Sequence, residues 1–244
     1  MAQTLQTAAP PHMYQRVYVW ELPVRLYHWI NAACIVILAA TGFIIGNPPS
    51  LNASYEAYAG YWFGTCRFIH FATAYVFVWN FAFRIYWGFV GNQYANWKNF
   101  FPVTIRQIKE IGEVLYVDIF QLKNKPVHAT GHNAVAYFTY FIMFLVFLFQ
   151  VFTGFAMYAP MSHSAFPQFF TWITPIFGGD LGLRYWHHLA TWFFILFTIV
   201  HVYLVLYHDY VEGHGVLTSI VGGWKFMPTD DKSGDGKSKF TGKK

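Results

Sequence analysis

Four long apolar runs divide the chain, and the first two end at residues that break a helix. The first covers 24–46 and stops at Asn47-Pro48-Pro49, a turn signal. The second covers 68–90 and meets Gly91-Asn92; the third covers 134–159, and the fourth 185–207. Each is near the ~20 residues that cross a hydrocarbon core of ~30 Å. Lipid offers no partner to backbone N–H and C=O groups, so such segments must be helical. Residues 164–177 are also apolar, but the stretch is short and broken by Pro167 and Pro175. It reads as an interfacial or partner-facing loop. Between 105 and 120, Ile105, Ile108, Ile111, Leu115 and Ile119 alternate with Arg106, Lys109, Glu110 and Glu113. That period predicts an amphipathic helix lying on the membrane surface. Beyond Met227 the chain is rich in Asp, Gly, Ser and Lys, a composition that predicts disorder.

Charge orients these segments. Lys98, Arg106, Lys109, Lys123 and Lys125 lie between the second and third runs, and Lys225, Lys232, Lys237, Lys239, Lys243 and Lys244 lie at the C-terminal end. The opposite loops hold only Arg67 and Arg184. The positive-inside rule places both termini and the middle loop in the cytoplasm. The expected fold class is an all-α membrane protein. It is a four-transmembrane-helix bundle with both termini cytoplasmic and a cytoplasmic amphipathic helix between helices two and three. Residues 1–23 form a cytoplasmic N-terminal tail, 24–224 the transmembrane domain, and 225–244 a disordered basic tail. The continuous apolar stretch begins only after Arg25 and lacks a small-residue cleavage site, so it reads as a retained helix rather than a signal peptide.

Composition agrees. Of 244 residues, 11% are charged and 56% hydrophobic, against about 25% charged in soluble domains. The net charge of +5 follows from the cytoplasmic loops and implies no nucleic-acid partner. Cys34 and Cys66 have no metal-like spacing and read as buried free thiols. No phosphate loop, dinucleotide fingerprint, nucleophile elbow or paired catalytic carboxylates fall within the spans.

Ionisable groups inside spans are expensive and point to function. Of eleven histidines, His28, His70, His187 and His201 lie inside the apolar runs. Fourteen residues separate His187 from His201, which returns a helix to within about 40° of one face and moves ~21 Å along its axis. His188 is thirteen from His201 and turns to another face, so His187 is preferred. Helices one and two enter from opposite sides, which puts His28 near the inner surface and His70 near the outer one. The expected pairs are His70 with His187 and His28 with His201. Two imidazoles facing one haem iron leave no open coordination position, which suits electron transfer. Arg25, Arg67 and Arg184 each precede His28, His70 and His187 by three residues. They stand one turn nearer the surface on the same face, where they can pair with haem propionates. Snorkelling at helix ends gives much the same pattern. Arg84, fourteen after His70, reaches the inner depth and is a fourth such partner. His208 is a fallback inner ligand, and the His128/His132 pair lacks a third metal ligand. Ala39, Ala40, Thr41, Gly42, Thr153 and Gly154 allow close approach of a haem or, equally, of another helix.

The ordered set of Tyr18-x-Trp-Glu-x-Pro-Val-Arg-x-Tyr-His-Trp29, Arg67-Phe-Ile-His-Phe71, Arg84-Ile-Tyr-Trp-Gly-Phe-Val-Gly-Asn92, Gly131-His-Asn133, Thr153-Gly-Phe-Ala-Met-Tyr158, Trp186-His187 and His201-Val-Tyr203 resembles the b-type cytochrome subunit of membrane-bound nickel-iron uptake hydrogenases. The resemblance implies two haem b groups with axial ligands His28, His70, His187 and His201. It also implies a multi-pass position in the bacterial inner membrane and hydrogenase small and large subunits on the periplasmic side. Membrane quinone would be the electron acceptor, and hydrogen chemistry would belong to the partner subunits. Tyr27, Arg84 and Asn92 are candidates for a quinone pocket. The aromatic loops 55–62 and 166–177 are candidates for the anchoring surface. Formate dehydrogenase cytochrome subunits share the same plan and are the alternative. A haem carrier or cation transporter using these histidines as a relay is the third class.

Overall fold

The computed structural model describes residues 14–49, 60–96, 134–212 and 215–228. The expected surface helix at 105–120, the cytoplasmic-loop basic residues, His128, His132, the Gly131-His-Asn133 motif and most of loop 55–62 lie outside the described residues, as does the chain beyond 228.

Four helices are long and apolar enough to cross a membrane. They are α1 (Leu22–Gly46), α2 (Trp62–Val90), α3 (Ala134–Tyr158) and α4 (Asp180–Glu212). Pro23 occupies the first turn of α1, where its missing N–H is not needed. The α3 helix passes at Pro160 into a short 3₁₀ turn, Ala159–Met161, and Asp180 supplies a negative charge at the start of α4. Large side chains such as Phe68, Trp79, Leu196 and Ile199 point outward and are mostly exposed, as a bundle solvated by hydrocarbon requires. Inside, α1 packs closely on α2 and α3 on α4. One layer joins all four helices: Cys34, Phe77, Phe147 and Phe194 form a buried cluster. Its rings pack closely, with Phe77–Phe147 at 4.5 Å and Phe81 stacked on Phe147 at 3.8 Å.

The apolar stretch near 164–177 is helical rather than extended. A single turn (Ala165–Gln168) and a 3₁₀ segment (Thr171–Phe177) lie over the outer end of α3. Phe170 and Ile173 are buried with Phe155, Ala156 and Leu183, whereas Phe169 and Trp172 stay exposed. Its prolines keep it from becoming a span, but it is half-packed core rather than free loop.

The fold is mostly helical, as expected. One small sheet is added to it, and its second strand takes in residues 225–228 of the expected tail. Strand β1 (Tyr14–Tyr18) pairs antiparallel with β2 (Trp224–Pro228), with Tyr18 opposite Trp224 and Arg16 opposite Phe226. The Arg16 guanidinium lies 4.0 Å over the Trp224 ring, and the Tyr18 and Trp224 rings stand 4.8 Å apart. Each strand is only five residues long, and its partner is some two hundred residues away, so no local periodicity reveals it. After the short helix α5 (Val216–Gly222), Gly223 adopts φ 88°. A Cβ there would lie 2.6 Å from the Tyr18 ring and 2.8 Å from the Trp20 carbonyl. Its own carbonyl accepts from the amides of Val19 and Trp20 at 2.9 and 3.1 Å.

This sheet brings the start of α1 against the end of α2. The Glu21 carboxylate accepts from the Trp87 indole N–H and the Asn92 amide, each at 2.9 Å. Asn92 in turn donates to the Val19 carbonyl at 3.0 Å and accepts from the amides of Tyr94 and Ala95. Replacing Glu21 with Ala strands two half-buried donors. It is expected to destabilise the detergent-solubilised protein by about 1.5–3 kcal/mol, measured by thermal or denaturant unfolding, with Glu21→Gln losing less because it keeps one acceptor.

Candidate functional site: two histidine pairs at two depths

At the outer end of the bundle, α2 carries His70 and α4 carries His187, and both line one cavity of about 960 Å³. The two imidazoles are held alike. On α1, the Thr41 hydroxyl donates to the Ile37 carbonyl at 2.6 Å and lies 2.8 Å from His70 Nδ1. On α3, the Thr153 hydroxyl donates to the Phe149 carbonyl at 2.7 Å and lies 2.8 Å from His187 Nδ1. The next residue on each helix is glycine, and the imidazole lies over it. A Cβ on Gly42 would stand 3.4 Å from His70 Cε1, and one on Gly154 would stand 3.2 Å from His187 Cε1. Cys66, one turn before His70, points its thiol at the Thr41 carbonyl. Gln150 donates to the Thr191 hydroxyl at 3.0 Å, which donates to the His187 carbonyl.

Arg67 and Arg184 both line this cavity, as their spacing from the histidines predicts. Arg67 also contacts the Met161 sulfur and lies over the Phe71 ring. His188 lines the cavity too. It rests against Phe43 and over Gly46, where a Cβ would overlap its ring. Thirteen-residue spacing from His201 therefore does not keep it out of the cavity. It lacks the threonine anchor that fixes His187.

At the inner end, His28 on α1 and His201 on α4 face each other with ring centroids 6.3 Å apart and planes at 51°. Phe197 stacks on His201 at 5.4 Å. Arg25 donates to the Val221 carbonyl and retains a buried Nε with no hydrogen-bond partner among the described residues. Arg84 is buried, with both terminal nitrogens 3.2 Å from the Ala95 carbonyl and its guanidinium 5.9 Å from the Tyr27 ring. Asn80 donates to the Tyr27 carbonyl at 3.0 Å. Thus Arg84, Asn92 and Tyr27 sit in the junction that ties α1 to α2. The ring of His208 packs on Tyr207.

These pairs fit a porphyrin better than a bare metal ion. No three His, Cys, Asp or Glu side chains cluster among the described residues, whereas a protein-held zinc needs three or four ligands. Haem supplies its own equatorial nitrogens and needs only axial ligands. A metal–imidazole bond is about 2 Å, and a ring centroid lies about 1 Å behind its nitrogen, so two rings sharing one ion stand roughly 6 Å apart. The His28–His201 spacing of 6.3 Å matches. The outer cavity lies near the top of the range of about 300–1,000 Å³ for cofactor pockets.

Sequence reasoning treated Thr41 and Thr153 only as small residues for close packing and missed their bond to the histidines. The available signal was repetition: a Thr-Gly pair occurs near the outer end of both the first and third spans.

The sequence profile of prokaryotic cytochrome b561 matches residues 19–223. A Cupriavidus necator protein named as a probable Ni/Fe-hydrogenase B-type cytochrome subunit is 40% identical over 212 residues, covering 85% of this chain and 86% of that protein. An Azotobacter vinelandii protein of the same name is 38% identical over 219 residues, covering 88% and 90%. The probable Ni/Fe-hydrogenase 1 B-type cytochrome subunit of Escherichia coli K12 is 34% identical over 218 residues, covering 85% and 90%. Spanning four apolar helices, this multi-pass membrane protein belongs to the prokaryotic cytochrome b561 family.

Proposed function

We propose that this protein is a di-haem cytochrome b that anchors a nickel-iron hydrogenase at the periplasmic face of the bacterial inner membrane and delivers its electrons to quinone. The observation that carries the reading is the pairing of four imidazoles at two depths. His70 and His187 share the outer cavity, and His28 and His201 face each other at the inner end. In this reading each pair holds one haem b as axial ligands. Haem iron, when bound, carries one electron at a time. The hydrogenase partner is supported by the names of the relatives, and the orientation by the positive-inside rule.

The chain's own residues do the rest. Arg67 and Arg184, at the wall of the outer cavity, neutralise propionates, and Arg25 offers its buried Nε at the inner level. The layer of Cys34, Phe77, Phe147 and Phe194 lies between the two levels. Phe194 is seven residues, or about 10 Å of helix, from both His187 and His201. Its packed rings exclude water between the sites and fix their spacing. The half-exposed aromatic segment around Phe169 and Trp172 lies beside the outer pair and presents the surface for the periplasmic partner.

Two experiments test this reading. Replacing His70 or His187 with Ala is expected to lower haem content from two per protein to one. Replacing His28 or His201 removes the other haem, and His188→Ala keeps both. The readouts are quantitative haem extraction and the reduced-minus-oxidised spectrum. Gly154→Val would push a side chain into the ring of His187, and its outer-haem occupancy is expected to drop roughly 10–100-fold while the inner haem remains.

A further inference from the structure

We infer that Thr41 and Thr153 are positioning residues that hold both outer imidazoles with the proton on Nδ1 and thereby lower the potential of the outer site relative to the inner one. This inference rests on the di-haem reading above.

Each threonine has one hydroxyl proton. At Thr41 that proton goes to the Ile37 carbonyl, and at Thr153 to the Phe149 carbonyl, because a carbonyl oxygen can only accept and oxygens 2.6 and 2.7 Å apart need a proton between them. A hydroxyl already donating can only accept from the imidazole 2.8 Å away. Both Nδ1 atoms therefore carry hydrogen, and Nε2 presents its lone pair, the form an iron ligand needs. The glycine after each threonine leaves room for the ring: a Cβ on Gly42 or Gly154 would stand 3.4 or 3.2 Å from the imidazole Cε1.

The inner level differs. His28 Nδ1 is buried with no hydrogen-bond partner among the described residues. A hydrogen bond accepted from the distal N–H raises the basicity of the ligating nitrogen. A more basic nitrogen favours the higher charge of ferric over ferrous iron. The outer site, with two such bonds where the inner site has at most one, is thus held at a lower potential than the inner site. Electrons entering from the outer face move downhill to the inner face, and the direction is built into two side chains.

The test uses full-length protein carrying Thr41→Val, Thr153→Val and both, with Thr→Ser at each position as the restoring variant. Val keeps the shape and removes the hydroxyl. Each Val variant is expected to raise the midpoint potential of the haem lost in His70→Ala and leave the other haem unmoved. A tenfold weakening of the ferric preference reads as about 59 mV for one electron. Ser variants return to the parent value. An unshifted outer potential in both Val variants, or equal shifts in Ser and Val, overturns the inference. In haem-free protein, ¹⁵N shifts of labelled histidine are expected to report Nδ1–H on His70 and His187, and Nε2–H there overturns it independently. Parent protein without haem would instead sink the di-haem reading, and the two failures are told apart.

Discussion

A polar group inside a hydrocarbon layer has no water to fall back on and must find its partner within the protein. Everything in this bundle follows from that constraint. It makes the four apolar segments helical. It also makes four histidines inside them costly unless something holds each ring. At the outer level a threonine hydroxyl lies against each Nδ1, and both rings line one cavity of about 960 Å³.

The arrangement has approximate internal symmetry. A Thr-Gly step on α1 serves a histidine on α2, and a Thr-Gly step on α3 serves one on α4. The two helix pairs meet along a mid-depth aromatic layer, and α4 carries one histidine of each pair. A helix of 33 residues is about 50 Å long, so it traverses the bilayer and positions both imidazoles from one rigid rod. At the end of the bundle that holds His28 and His201, Glu21, Asn92 and the small sheet lock the strand ends and helix ends together.

Much of this was legible in the sequence because lipid simplifies the code. Long apolar runs gave the four spans, and the fourteen-residue step from His187 to His201 gave the two depths. The pairing of His28 with His201 followed from alternating helix direction and agrees with their facing rings. Other features depend on non-local contacts that no periodicity carries. The β1–β2 sheet joins the two ends of the chain. Spacing puts Arg84 at the inner depth, but its bonds to the Ala95 carbonyl depend on a chain segment folded back from the end of α2. His188 was turned away by helical-wheel arithmetic, but the cavity is broad enough to include it. The threonines were visible as letters, but their role appears only when α1 and α3 are laid against α2 and α4.

The most direct measurement is a cryo-electron microscopy map of the protein purified with its native partners. The account predicts two porphyrin densities, one with iron between His70 and His187 and one with iron between His28 and His201. Iron bound through His188, or protein without porphyrin at either level, would contradict it.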